Sequence, residues 1–195
     1  MEKKEKPVDP FGIGLVWLFN KEKVMFLHIP KSASTSIRSS TSVINNNYLT
    51  CNKNKLNNYY KFAVIRNPYN RFISGYSEAK TRGETKCKLI KNLNEENIKF
   101  IIDQLYKGEF VDIHLVPQVD FIGELKINKF IKFENLNEEL SKLSYEINLP
   151  AIRNIKHLQK TNKKEVVDII NKLKLEDKIN NIYKKDWELY NSLFN

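Results

Sequence analysis

The stretch Val24-Met25-Phe26-Leu27-His28-Ile29-Pro30-Lys31-Ser32-Ala33-Ser34-Thr35-Ser36-Ile37 carries an apolar run into a proline, a lysine and a cluster of small hydroxyl residues. An apolar run that stops at Pro30 reads as a buried strand, and the small residues beyond it permit a tight turn into a helix. The first amides of such a helix point at whatever lies before them, and the helix dipole favours an anion there. Lys31 adds a point charge, and the hydroxyls of Ser32, Ser34, Thr35 and Ser36 add short-range donors. This is the composition of a phosphate cradle. It is not a Walker A loop, because the lysine precedes the small residues and no glycine is present.

A second segment of the same design follows. Phe62-Ala63-Val64-Ile65-Arg66-Asn67-Pro68-Tyr69-Asn70-Arg71-Phe72-Ile73-Ser74-Gly75-Tyr76 reads as a strand that ends in Arg66 and turns through Asn67-Pro68 into a helix. Ser74 lies eight residues beyond Arg66, on that helix. The planar guanidinium fork can give two parallel hydrogen bonds to phosphate oxygens.

Pro30-Lys31-Ser32-Ala33-Ser34-Thr35-Ser36 resembles the 5′-phosphosulfate loop of sulfotransferases that use 3′-phosphoadenosine 5′-phosphosulfate (PAPS), above all the carbohydrate-modifying, family 2-like branch. The Arg66 to Ser74 spacing resembles that family's 3′-phosphate site. Downstream, Asp112-Ile113-His114-Leu115-Val116-Pro117-Gln118 looks like its Asp-x-His-x-x-Pro-Gln segment, and Phe130-Ile131-Lys132-Phe133-Glu134-Asn135-Leu136 like its last strand. His157-Leu158-Gln159-Lys160-Thr161, followed by Asn162 and Lys163, resembles a loop that closes over the nucleotide.

The resemblance implies transfer of a sulfuryl group from PAPS to an acceptor hydroxyl, most simply on a carbohydrate, with no metal. Lys31 would stabilise the leaving phosphate. Residues Lys31, Ser32, Ala33, Ser34, Thr35 and Ser36 would hold the 5′ side of the donor, and Arg66 and Ser74 the 3′-phosphate. Thr161 and Lys163 would close over the nucleotide. His114 is the first candidate for the general base, with His28, Glu78 and Glu84 as alternatives.

At 195 residues and 41% hydrophobic content, the chain is expected to form a single domain with a substantial core, residues 1–10 being a mobile tail. The coarse order is strand 24–29, helix 34–42, strand 61–66, helix 69–80, helix 95–107, strand 118–123, strand 129–133, and helices 135–145, 163–173 and 176–192. Residues 11–19 read as a core-packing strand or loop, and 81–94 as a surface insertion beside the acceptor cleft. Strands alternating with helices imply an α/β, three-layer domain with a mainly parallel sheet, the P-loop-NTPase-like fold of sulfotransferases.

The formal charge of +10 is dispersed along the chain, without a basic tract or an RNA-binding signature, and suits an anionic donor or acceptor. Cys51 and Cys87 make no disulfide framework, and no Cys/His spacing resembles a zinc site. Residues 11–19 are too short to span a bilayer and lack a cleavage site after them. The expectation is a cytoplasmic enzyme of microbial or viral origin, the alternative being a truncated Golgi-type lumenal domain. Two readings from other classes stay open: a P-loop-type nucleotide or small-molecule kinase, which would need the missing Walker glycine-lysine, and a noncatalytic basic nucleic-acid-binding protein.

Overall fold

The structure is a computed structural model and describes residues 14–39, 44–47, 56–81, 88–155 and 163–195. Strands β1 (Leu15–Phe19), β2 (Val24–Leu27), β3 (Ile44–Asn47), β4 (Tyr60–Ile65) and β5 (Lys129–Lys132) form one sheet in the order β3-β1-β2-β4-β5. β2 pairs in parallel with β4 and β4 with β5, whereas β1 is antiparallel to both β2 and β3. Only β1 therefore opposes the common direction, so the sheet is mainly parallel, as the alternating pattern predicts.

Side chains alternate across the sheet with the period of two that strand geometry imposes. Trp17, Phe19, Val24, Phe26, Phe62, Val64 and Ile131 face one layer, built by α1 (Ser34–Ser39) and α5 (Leu136–Glu146) through Ile37, Leu136, Leu140 and Leu143. Val16, Leu18, Met25, Leu27, Ala63 and Ile65 face the other, where Phe121 and Tyr190 pack. Strands buried on both faces read as continuous apolar runs, which is why VMFL and FAVI stand out in the sequence.

A third cluster contains no strand residue. It joins α2 (Pro68–Thr81) to α3 (Glu95–Tyr106), α6 (Lys164–Lys172) and α7 (Glu176–Ile182) through Phe72, Tyr76, Ile98, Ile102, Val166, Ile170 and Ile179. Where α2 passes the 3-10 turn Ile113–Leu115, a Cβ on Gly75 would lie 2.3 Å from the carbonyl oxygen of His114. Glycine is required there by backbone proximity. Its φ is ordinary, so no turn demands it.

Two expectations are corrected. Residues 118–123, expected as a strand, form the short helix α4 (Gln118–Ile122). Pro117 precedes it, Gly123 ends it at φ 51°, and the carboxylate of Asp186 caps its first two amides, at 2.8 Å from Gln118 N and 3.0 Å from Val119 N. The expected helix 176–192 breaks at Tyr183 into α7 and α8 (Lys184–Phe194). The two halves serve different cores: Ile179 and Tyr183 join the helical cluster, and Tyr190 joins the sheet. Of the expected helix 34–42, the part 40–42 lies outside the described residues, as do residues 1–10 and both cysteines.

Candidate functional site

β2 and β4 are parallel neighbours, so the loops that leave their C-terminal ends emerge side by side. The first loop is tightly wound. Lys31 and Ala33 both lie in the left-handed region, at φ 66° and 63°, a conformation that non-glycine residues adopt at a cost of about 1–2 kcal/mol each. Ser32, between them, donates its N–H to Ile29 O at 3.2 Å and closes a tight turn. Ser34 Oγ closes the turn by donating to Ile29 O at 2.9 Å, and Ser32 Oγ donates to Gln118 Oε1 at 3.3 Å. Thr35 is exposed at the start of α1, and Ser36 is buried.

The second loop is held by its neighbours. Asn67 caps α2 through its side chain, which accepts from Asn70 N at 3.0 Å, and Pro68 occupies the first helical position. Glu134, just past β5, accepts from Asn67 N at 3.0 Å. The Arg66 guanidinium stacks 4.3 Å from the Phe133 ring and donates from Nη1 to Lys31 O at 3.0 Å. One arm of the fork thus touches the first loop, while the buried Nε of Arg66 meets no hydrogen-bond acceptor among the described residues.

Three cations converge. Burial pulls the Arg66 guanidinium down to about pKa 10, with Glu134 opposing the shift and Arg71 adding to it. The Lys163 ammonium is also lowered, first by burial and then by the charges of Arg66 and Lys31. Mutual repulsion among buried cations is unfavourable unless an anion offsets it. Lys31 Nζ itself lies 3.3 Å from Glu78 Oε2, with both side chains about a tenth exposed. Glu78 is one turn along α2 from Ser74, so both sit on the face turned to the first loop, and Ser74 is buried.

His114 is buried, and its Nδ1 lies 2.7 Å from Asp112 Oδ1, the same oxygen that accepts from His114 N at 2.9 Å. A carboxylate on Nδ1 assigns the proton to that nitrogen and leaves Nε2 as the acceptor. The 105–117 segment also borders a cavity of about 700 Å³ whose lining includes Tyr106, Phe110, Asp112 and Asp120. His28 belongs to the strand exit, its ring 5.2 Å from that of Trp17. Thr161 and Glu84 lie outside the described residues.

Lys31, Ser32, Arg66 and Lys163 are therefore brought together, with Ser74 and Glu78 on the adjoining helix face. Several residues at the centre of the site had no assigned role in the sequence reading. Gln118 links the two loops. Arg71, fully buried, donates from Nε to Pro30 O at 3.0 Å and from Nη1 to Val116 O at 2.8 Å. Asp112 had a usable signal, a carboxylate two residues from a histidine; Asp186, 68 residues from its partner Gln118, had none.

Parallel strands that deliver two loops and a lysine to one end of the sheet make up the α/β, mainly parallel arrangement expected from the sequence. The chain belongs to the Sulfotransferase family, whose model matches residues 16–194, as the family 2-like motifs predict. No curated protein and no solved structure matches it. Among the described residues no helix is long and apolar enough to cross a membrane, and no cluster of three metal-ligating side chains occurs.

Proposed function

We propose that this sulfotransferase takes its sulfuryl group from 3′-phosphoadenosine 5′-phosphosulfate and delivers it to a hydroxyl of a carbohydrate. The observation that carries the reading is the convergence of Lys31 and Arg66 on Lys163, whose ammonium both charges lower, beside a buried Arg66 Nε with no acceptor among the described residues. These residues fit a donor that carries separate anionic groups. The two loops offer different contacts, backbone and ammonium in one, guanidinium in the other.

The donor, when bound, supplies a sulfuryl group whose departure leaves charge on a phosphate oxygen. Lys31 Nζ would donate to that oxygen as its charge grows, and the Glu78 contact keeps the ammonium at the site between turnovers. Amides at the start of the helix that begins at Ser34 would hold the 5′-phosphate in line. Arg66 and Ser74 would hold the 3′-phosphate, and Lys163, with Thr161, would cover the nucleotide. His114 Nε2 would take the proton of the acceptor hydroxyl, with Asp112 fixing the tautomer and stabilising the imidazolium that forms. A sugar acceptor rests on the resemblance of the 31–36 loop to the carbohydrate-modifying branch; the cavity lined by Tyr106, Phe110 and Asp112 contains neither Lys31 nor His114.

A thermal-shift titration with 3′-phosphoadenosine 5′-phosphate, ATP with Mg²⁺ and 5′-AMP tests the donor. Selective binding raises the midpoint with ligand excess over Kd. The expected result is stabilisation by the 3′-phosphorylated nucleotide alone, lost in Arg66→Ala. Equal stabilisation by ATP, or none by any nucleotide, overturns the reading.

A further inference from the structure

We propose that Gln118 is the positioning residue that fixes the separation of the two anion loops, and so sets the preference for a nucleotide carrying phosphate at both the 3′ and 5′ positions. The inference rests on the donor reading above. Gln118 is fully buried, and its side-chain amide is shared between the loops. Oε1 accepts from Ser32 Oγ at 3.3 Å and from Arg66 N at 3.0 Å, while Nε2 donates to Arg66 O at 2.8 Å. One planar group thus pairs with both backbone polar groups of the arginine and with a hydroxyl of the lysine-bearing turn. A planar amide bonded on both edges has no freedom to rotate.

The backbone beneath that amide is fixed as well. Asp186 of α8 accepts from Gln118 N and Val119 N, Tyr183 donates from its hydroxyl to Leu115 O at 2.6 Å, and Arg71 ties Val116 O to Pro30 O. The last helices therefore anchor the 115–119 segment, and through Gln118 the segment anchors both loops. The Arg66 Nη1 bond to Lys31 O is a direct contact between the loops, but it runs through the guanidinium that would engage the ligand. Gln118 holds the separation without using the Arg66 guanidinium, through the Arg66 backbone and the Ser32 hydroxyl.

Removing this clamp has a consequence that simple destabilisation does not. A lower folded fraction weakens every ligand by the same factor, because apparent affinity scales with the competent population. A changed loop separation weakens ligands that must touch both loops and spares those that touch one. The test measures Kd by calorimetry for 3′-phosphoadenosine 5′-phosphate and for 5′-AMP on wild type, Gln118→Met and Gln118→Glu. Met keeps the length and removes every side-chain hydrogen bond while leaving the backbone bond to Asp186. Glu keeps the acceptor edge but sets an oxygen against Arg66 O, and it supplies a second variant should the first not fold.

The expected result is a fall of about tenfold or more in the ratio of the two affinities, the size that follows from loss of a buried hydrogen-bond partner. A ratio unchanged in a folded variant, with both affinities shifted equally or not at all, overturns the inference and leaves the donor reading intact. A wild type with no preference for the 3′-phosphate overturns the donor reading and this inference together.

Discussion

The two loops meet at one edge of the sheet and are built by opposite means. The loop after β2 depends on backbone: it has no glycine, forces Lys31 and Ala33 to positive φ, and uses its buried serine hydroxyls to close itself and to reach Gln118. The loop after β4 depends on a side chain: its backbone is an ordinary capped helix start, and Arg66 is held by the Phe133 ring and by Lys31 O. Strain stored in the first loop persists only because packing over-determines it, and the buried charge of the second is disfavoured until an anion arrives. The first should then govern the chemical step and the second the binding step.

The sharpest way to break that division is Lys31→Met. If Lys31 acts on charge that develops in the transition state, kcat falls about 10²- to 10³-fold, the loss typical when one such donor is removed, while Kd for 3′-phosphoadenosine 5′-phosphate changes little. A large rise in Kd with kcat unchanged would return Lys31 to mere binding.

A smaller effect separates the loops by pH. The lowered pKa values of Arg66, at about 10, and of Lys163 mean that the free folded state binds fewer protons than the unfolded chain in the alkaline range. The contribution of these groups to unliganded stability therefore increases as pH rises through their folded values. Anion binding reverses both shifts, so it takes up protons, and affinity falls as pH rises toward and through about 10. Calorimetry at about pH 9 in buffers of different ionisation enthalpy should show net proton uptake in wild type and less in Arg66→Ala. Proton release on binding would contradict the cation cluster.

The smallest effect belongs to the strained turn. Ala33→Gly removes the left-handed penalty and loosens the unfolded chain, leaving a net gain of up to about 1 kcal/mol. The melting midpoint should rise by about 2–4 °C. A fall would show that the turn is not strained at Ala33.

Much of the framework that carries the two loops is legible in the chain. The strands at 24–27 and 60–65, Lys31, and the Arg66 to Ser74 pair belong to continuous segments in which local chemistry and position coincide. The structure departs from the sequence pattern where short-range signals are ambiguous. Val119, Phe121 and Ile122 satisfy a strand or a helix equally, and the deciding group, the Asp186 carboxylate, comes from another helix. An unbroken helical pattern at 176–192 gave no sign of the bend at Tyr183, which follows from a hydroxyl bonded to Leu115 O and a ring packed on Phe72.

By itself, then, the sequence determined the parallel α/β plan and the placing of the two loops after β2 and β4, because apolar runs, prolines and the types of charged residue act over a few neighbours. Tertiary structure alone decided how the loops face each other. Gln118, Arg71 and Asp186 draw their meaning from partners 41 to 86 residues away, and hydrogen-bond geometry across that separation has no local signature.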